Sequence, residues 1–143
     1  MVSPKVLPSP DKVLWISFRF SGSHTHHVTS LHFYKPTEVV DFESLVETLQ
    51  ESLSRVLVDY APLAGRWEKD ASGRPGVICN GSGALFVKAV ADLRIEDLGG
   101  FVPGPELLQL VPRIDYSQDI SRWPLLVVQV EYQSFLSLSL RFI

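Results

Sequence analysis

Cysteine is nearly absent from this chain: Cys79 is the only one in 143 residues, so no internal disulfide can form and no second thiol stands at metal-ligand spacing from it. That usage fits a reducing compartment, and a cytoplasmic location is the expectation. Long apolar runs are missing too, and no window approaches the roughly 20 continuous apolar residues that a membrane span requires. The stretch from Met1 to Lys12 carries Pro4, Pro8, Pro10 and scattered charges, not the basic start and apolar run of a signal peptide. Positive charge is scarce as well. Thirteen Lys and Arg against sixteen Asp and Glu give a net charge of -3 with no basic cluster, which argues against a nucleic-acid partner.

What is present is ordinary globular composition. With 45% hydrophobic and 20% charged residues the chain has the apolar content to build a core, and disorder, collagen-like repeats and coiled coil are excluded. Its length suits one domain, which at this size buries about 68% of its unfolded surface. No internal repeat is visible.

Val13 to Phe20 and Val28 to Tyr34 are rich in β-branched and aromatic residues and predict two strands, joined by a polar loop from Ser21 to His27. Pro36 ends the second. Asp41 predicts a helix cap, because Phe42, Leu45, Val46, Leu49, Leu53, Val56, Leu57 and Tyr60 then recur at helical spacing. The opposite face carries Glu43, Glu47, Glu51, Arg55 and Asp59, a solvated surface with a favourable Glu51–Arg55 pair. Pro62 stops this helix, and strands are predicted over Gly65–Lys69, Val77–Cys79 and Leu85–Val90, as a meander with a turn at Asp70-Ala71-Ser72-Gly73. Between Asp92 and Trp123, glycines and prolines leave room only for short helical turns near Arg94–Leu98 and Glu106–Val111. Leu125–Tyr132 is a nearly continuous apolar run, the pattern of a strand buried on both faces.

Few side chains invite a chemical role. His24, His26 and His27 cluster in the polar loop, and imidazoles ligate Zn, Cu and Ni, but no cysteine or carboxylate stands at ligand spacing, so the expectation is no physiological metal site. Gly81-Ser82-Gly83 lacks the lysine of a phosphate loop and reads as a turn. Cys79 lies in an apolar strand with no adjacent cation to lower its pKa, and reads as an inert core thiol.

Three segments carry a resemblance. Tyr60-Ala61-Pro62-Leu63-Ala64-Gly65-Arg66, Cys79-Asn80-Gly81-Ser82-Gly83-Ala84-Leu85-Phe86-Val87 and Pro124-Leu125-Leu126-Val127-Val128-Gln129-Val130 occur in the order and spacing of plant acyl-CoA-dependent acyltransferases of the BAHD family. Pro105 to Pro112 and Asp115-Tyr116-Ser117 resemble the hydroxycinnamoyl-CoA branch, which acylates shikimate, quinate or amines. The resemblance implies an α/β fold, namely a partial chloramphenicol-acetyltransferase-like domain with a mixed sheet and one long amphipathic helix. It implies that residues 1–143 are the amino-terminal part of the first of two domains, with the second absent. By family the activity is transfer of an acyl group, a hydroxycinnamoyl group on the finer reading, from acyl-CoA to an alcohol or amine, with acyl-CoA as co-substrate and no resident cofactor.

In that family a histidine general base takes the proton of the acceptor, and an aspartate four residues on is its structural partner. Here Val28, Ser30, Leu31 and Pro36 stand four residues after His24, His26, His27 and His32, so the His-x-x-x-Asp motif is not in the sequence, and neither is Asp-Phe-Gly-Trp-Gly. No catalytic residue is therefore assigned, and the chain alone is expected to be silent. By the same resemblance His27, Ser30 and His32 line the acceptor pocket, although relatives usually carry an aromatic hydroxyl residue where this chain has His32.

After Tyr132 the resemblance ends. Leu136, Leu138, Leu140 and Phe142 alternate with Ser137, Ser139 and Arg141, which predicts a terminal strand left as an unprotected edge and hence self-association. The alternative function is a non-catalytic interaction module or decoy, pairing with a full-length relative or a complementary fragment.

Overall fold

A computed structural model describes residues 1–6, 12–16, 27–34, 41–90, 98, 104–132 and 136–142. The helix α1 spans Phe42–Asp59 and starts as its sequence dictates: the Ser44 amide donates to Asp41 Oδ2 at 3.1 Å, satisfying one of the orphan donors of the first turn. Its buried edge, Val46 and Leu57 with Phe42, Leu49 and Leu53 beside them, is the apolar stripe seen in the sequence. Leu57 is fully buried, which stabilises the fold by about 1.5–3 kcal/mol. The polar face carries the Glu51–Arg55 pair, and Glu43 reaches across to Lys88, with 2.8 Å between Oε1 and Nζ.

Among the described residues there are seven strands, in chain order β1 (Val13–Trp15), β2 (Val28–Tyr34), β3 (Arg66–Lys69), β4 (Pro75–Ile78), β5 (Leu85–Ala89), β6 (Leu126–Tyr132) and β7 (Leu136–Phe142). They divide into two sheets, an antiparallel one ordered β1-β4-β3 and a mixed one ordered β2-β7-β6-β5 in which only β5 and β6 run parallel. A four-residue helix α2 (Pro105–Leu108) lies before β6, and no helix among the described residues is long and apolar enough to cross a membrane. The β1 reading beyond Ile16 and most of the turn expected at Arg94–Leu98 lie outside the described residues.

Two expectations are corrected. The three strands after α1 do not form a meander: β3 and β4 pair as a hairpin, but β5 leaves for the other sheet. The turn between them explains the departure. Gly81 and Gly83 have φ of 66° and 89°, left-handed values that redirect the chain, and Ala84 then bridges to Val2. A Cβ on Gly83 would lie 2.6 Å from the Val2 carbonyl oxygen. Arg66 fastens the same corner, donating through Nη1 to the carbonyls of Gly65 at 2.6 Å and Gly83 at 2.9 Å. Burial lowers its pKa from the usual arginine value.

The second correction concerns β7, which is not an edge. It pairs antiparallel along its whole length with β2 on one side and β6 on the other, so the sheet ends instead at β2 and β5. With both rows of backbone donors and acceptors satisfied, the physical ground for self-association through β7 is removed.

Strand register divides the mixed sheet into two faces. Ser30 and Val128 stand opposite the same β7 position, as do His32 and Val130, so these four share one face. That face packs, through Leu126, Val128 and Val130, against Leu57, Ala64 and Ala84. Leu31 and Phe33 share the other face with Gln129 and Glu131, and there they meet Leu98, Leu107 and Leu110.

Candidate functional site

The residues expected to line an acceptor pocket fall into two places. Ser30 and His32 are neighbours two apart on β2, with Ser30 Oγ and His32 Nε2 3.3 Å apart and His32 exposed. An edge strand presents them where a ligand could reach. His27, just before the strand, is buried, at 7% exposure, and is held elsewhere. Its Nε2 lies 2.8 Å from the Pro124 carbonyl, which can only accept, so that nitrogen carries the proton. In the neutral ring Nδ1 then accepts the Tyr116 hydroxyl at 2.9 Å. Tyr116 in turn meets Trp123 edge-on, with centroids 4.9 Å apart, and Trp123 Nε1 donates to the Gln118 carbonyl at 3.1 Å. His24 and His26 lie outside the described residues.

The Asp115-Tyr116-Ser117 segment thus acquires a physical role. Asp115 Oδ1 accepts from the Ser117 amide at 2.9 Å, and the Ser117 hydroxyl bonds the same oxygen, so the turn presents Tyr116 to His27. These bonds hold the Asp115 carboxyl below the usual carboxylate range, the Ser117 hydroxyl contributing most. Cys79 is buried at 2% exposure, and burial pushes its thiol pKa up against a smaller opposing pull from Lys12. A thiol so placed is a poor nucleophile, as its apolar setting in the sequence predicts.

Sequence reasoning missed a second pair. Gln129 and Glu131, each 5% exposed, form part of the wall of an open cleft of about 760 Å³ that is bounded by the end of β5 and by the segment from Pro105 to Arg113. Gln129 Nε2 donates to the Leu110 carbonyl at 3.1 Å and to Glu131 Oε1. The signal was in the sequence: two polar residues two apart inside an otherwise apolar strand must lie on one face. Ser30 and His32 lie on the opposite face, so the sheet separates the two groups.

A model of the Transferase family matches residues 5–134. The chain belongs to that family. This is the BAHD family whose segments the sequence carries, and its members are similar to the chain over nearly its whole length. A hydroxycinnamoyltransferase of Narcissus pseudonarcissus is 40% identical over 133 residues, covering 92% of the chain and 30% of the relative. A shikimate O-hydroxycinnamoyltransferase of Nicotiana tabacum is 40% identical over 132 residues, with the same two coverages. The chain therefore spans about 30% of the length of the curated BAHD relatives it matches. Among solved structures, vinorine synthase superposes with a TM-score of 0.75 at 22% identity, over 99% of the chain and 35% of that protein. The likeness shows the fold, a partial α/β domain of the kind found in vinorine synthase.

Proposed function

We propose that residues 1–143 act as the amino-terminal part of the first domain of an acyl-CoA-dependent acyltransferase that moves a hydroxycinnamoyl group to an alcohol or amine. The observation that carries this reading is the 40% identity to hydroxycinnamoyltransferases over 92% of the chain. In the reaction the acceptor oxygen or nitrogen attacks the thioester carbonyl, its proton passes to a base, and the CoA thiolate leaves and is reprotonated. General-base help of this kind supplies about two to four orders of magnitude in rate.

None of the four histidines stands in the His-x-x-x-Asp spacing, so these residues supply scaffold and acceptor-side surface and not the base. Ser30 and His32 are the side chains proposed to meet the acceptor. His27, with both ring nitrogens engaged, shapes that surface from behind by anchoring β2 to the Tyr116–Pro124 segment. The protein is proposed to work in the cytoplasm, where hydroxycinnamoyl-CoA donors would be met.

A second reading draws on the edges of the mixed sheet. β2 and β5 end it, and Val28 and Tyr34 on β2 are exposed, at 61% and 51%. A module that binds a full-length relative or a complementary fragment would use such an edge. One assay separates the readings: supply hydroxycinnamoyl-CoA and shikimate to this polypeptide alone, to an intact relative, and to the relative with the polypeptide added. No transfer by the polypeptide alone and no effect on the relative supports the first reading; inhibition of the relative supports the second. Transfer by the polypeptide alone at ordinary enzyme rates contradicts the assignment of scaffold without base.

A further inference from the structure

The cleft beside β6 has a feature that neither acyl transfer nor packing uses. Carbonyl and carboxylate oxygens accept and never donate, so the Leu110 carbonyl and Glu131 Oε1 both require the NH2 end of the Gln129 amide. With both Nε2 protons committed, the amide cannot flip, and among the described residues no donor reaches Oε1. Gln129 is 95% removed from solvent as a residue and lines the cleft, and Oε1 is not among the fully buried atoms, so its one remaining polar atom is a fixed acceptor left open to the cleft.

The surroundings suit a small molecule. About 760 Å³ is within the usual range for ligand sites, and Val90 and Leu108, 78% and 71% exposed, offer apolar walls at the mouth, with Val111 further along. Large apolar side chains so exposed at a concave site gain by being covered. Arg113 stands on the rim and is exposed.

We infer that this cleft binds a small molecule with an apolar body and one hydroxyl or amine group, the body lying between Val90 and Leu108 and the group donating to Gln129 Oε1. The site is separate from Ser30 and His32, which lie on the other face of the sheet, so its occupancy does not depend on the acyl-transfer reading.

The test uses the whole chain, labelled with nitrogen-15, and follows the Gln129 side-chain amide while three probes of similar shape are titrated. These are 2-phenylethanol, its methyl ether and 3-phenylpropionate. The alcohol should shift the Gln129 amide and the Val90 and Leu108 signals with a dissociation constant on the order of millimolar, as suits a ligand of this size. The ether, which has the body without the donor, should bind at least about tenfold more weakly. Leu108→Asp, at an exposed position, should weaken the alcohol without disturbing the fold. Gln129→Leu keeps an apolar side chain of similar size but removes the acceptor, and should erase the preference for alcohol over ether. Equal binding of alcohol and ether, tighter binding of the carboxylate through Arg113, shifts confined to other parts of the surface, or no shift at about 20 mM alcohol would each overturn the inference.

Discussion

His27 donates through Nε2 to the carbonyl oxygen of Pro124, 97 residues further along the chain, at 2.8 Å. With the Tyr116 hydroxyl on Nδ1, this bond ties the entry of β2 to the segment that leads into β6, two strands that are not neighbours in the sheet. His27→Ala should therefore lower unfolding free energy by about 2–4 kcal/mol, the cost of a buried side chain together with its two hydrogen bonds. Tyr116→Phe should cost about 1 kcal/mol, and the double variant less than the sum. Urea unfolding of the four proteins decides the matter. Additive effects would show that the two rings do not act together.

Arg66 holds two carbonyls from one guanidinium, and a lysine cannot reproduce that fork. Arg66→Lys should cost about 1–2 kcal/mol, although charge is kept. A melting temperature unchanged from that of the parent would mean that charge alone holds the corner of Gly65 and Gly83.

Cys79 should be nearly unreactive in the folded protein. Its thiol is buried and its pKa raised, so labelling by a disulfide reagent at mildly alkaline pH should run at least about a hundredfold slower in buffer than in urea. Rapid labelling of folded protein would refute the core placement of β4's exit.

Asp41 sets an acid limit on the helix. Hydrogen bonds from the Ser44 hydroxyl and then the Ser44 amide lower its pKa from 3.8, so the folded state favours the carboxylate. Asp70, Asp115 and Asp119 are lowered in the same direction. A lowered carboxyl pKa contributes stability that is complete above the unfolded value and is lost as pH falls through the folded one. Melting temperature should therefore hold above about pH 5 and drop below about pH 4. Asp41→Asn keeps a capping oxygen but cannot titrate, and should shrink that drop. An identical acid limb in the variant would rule out Asp41 as a contributor.

The position of β7 gives a further expectation. A chain ending at Tyr132 loses the strand that joins β2 to β6 and exposes both to solvent, so cooperative unfolding should be lost and aggregation should rise. Retention of a sharp melting transition in the shortened protein would show that β7 is dispensable.

What was legible in the sequence depended on range. The helix was readable because Asp41, the apolar stripe and Pro62 are local signals, and β2 and the buried β6 run were readable from composition over seven or eight residues. Strand partners were not. Alternation in the Leu136–Phe142 segment shows that it can be a strand but not that two other strands flank it, and β5 leaves its expected neighbour because of backbone angles at Gly81 and Gly83. The same limit applies to the site. Nothing near His27 in sequence announces Tyr116 or Pro124, so its burial and the two hydrogen bonds of its ring had no local signal. Ser30 and His32 share one face of the sheet, as two residues two apart on a strand must.

These residues are proposed to form part of an acyltransferase domain and not to supply its base. The most direct test is to add separately produced carboxyl-terminal remainder of the tobacco shikimate O-hydroxycinnamoyltransferase, and to measure transfer from hydroxycinnamoyl-CoA to shikimate. No transfer is expected from either piece alone, and measurable transfer from the two together, reduced when Ser30 and His32 are both replaced by alanine. Transfer by this chain alone, or a mixture that assembles into a stable complex yet stays silent, would contradict the proposal.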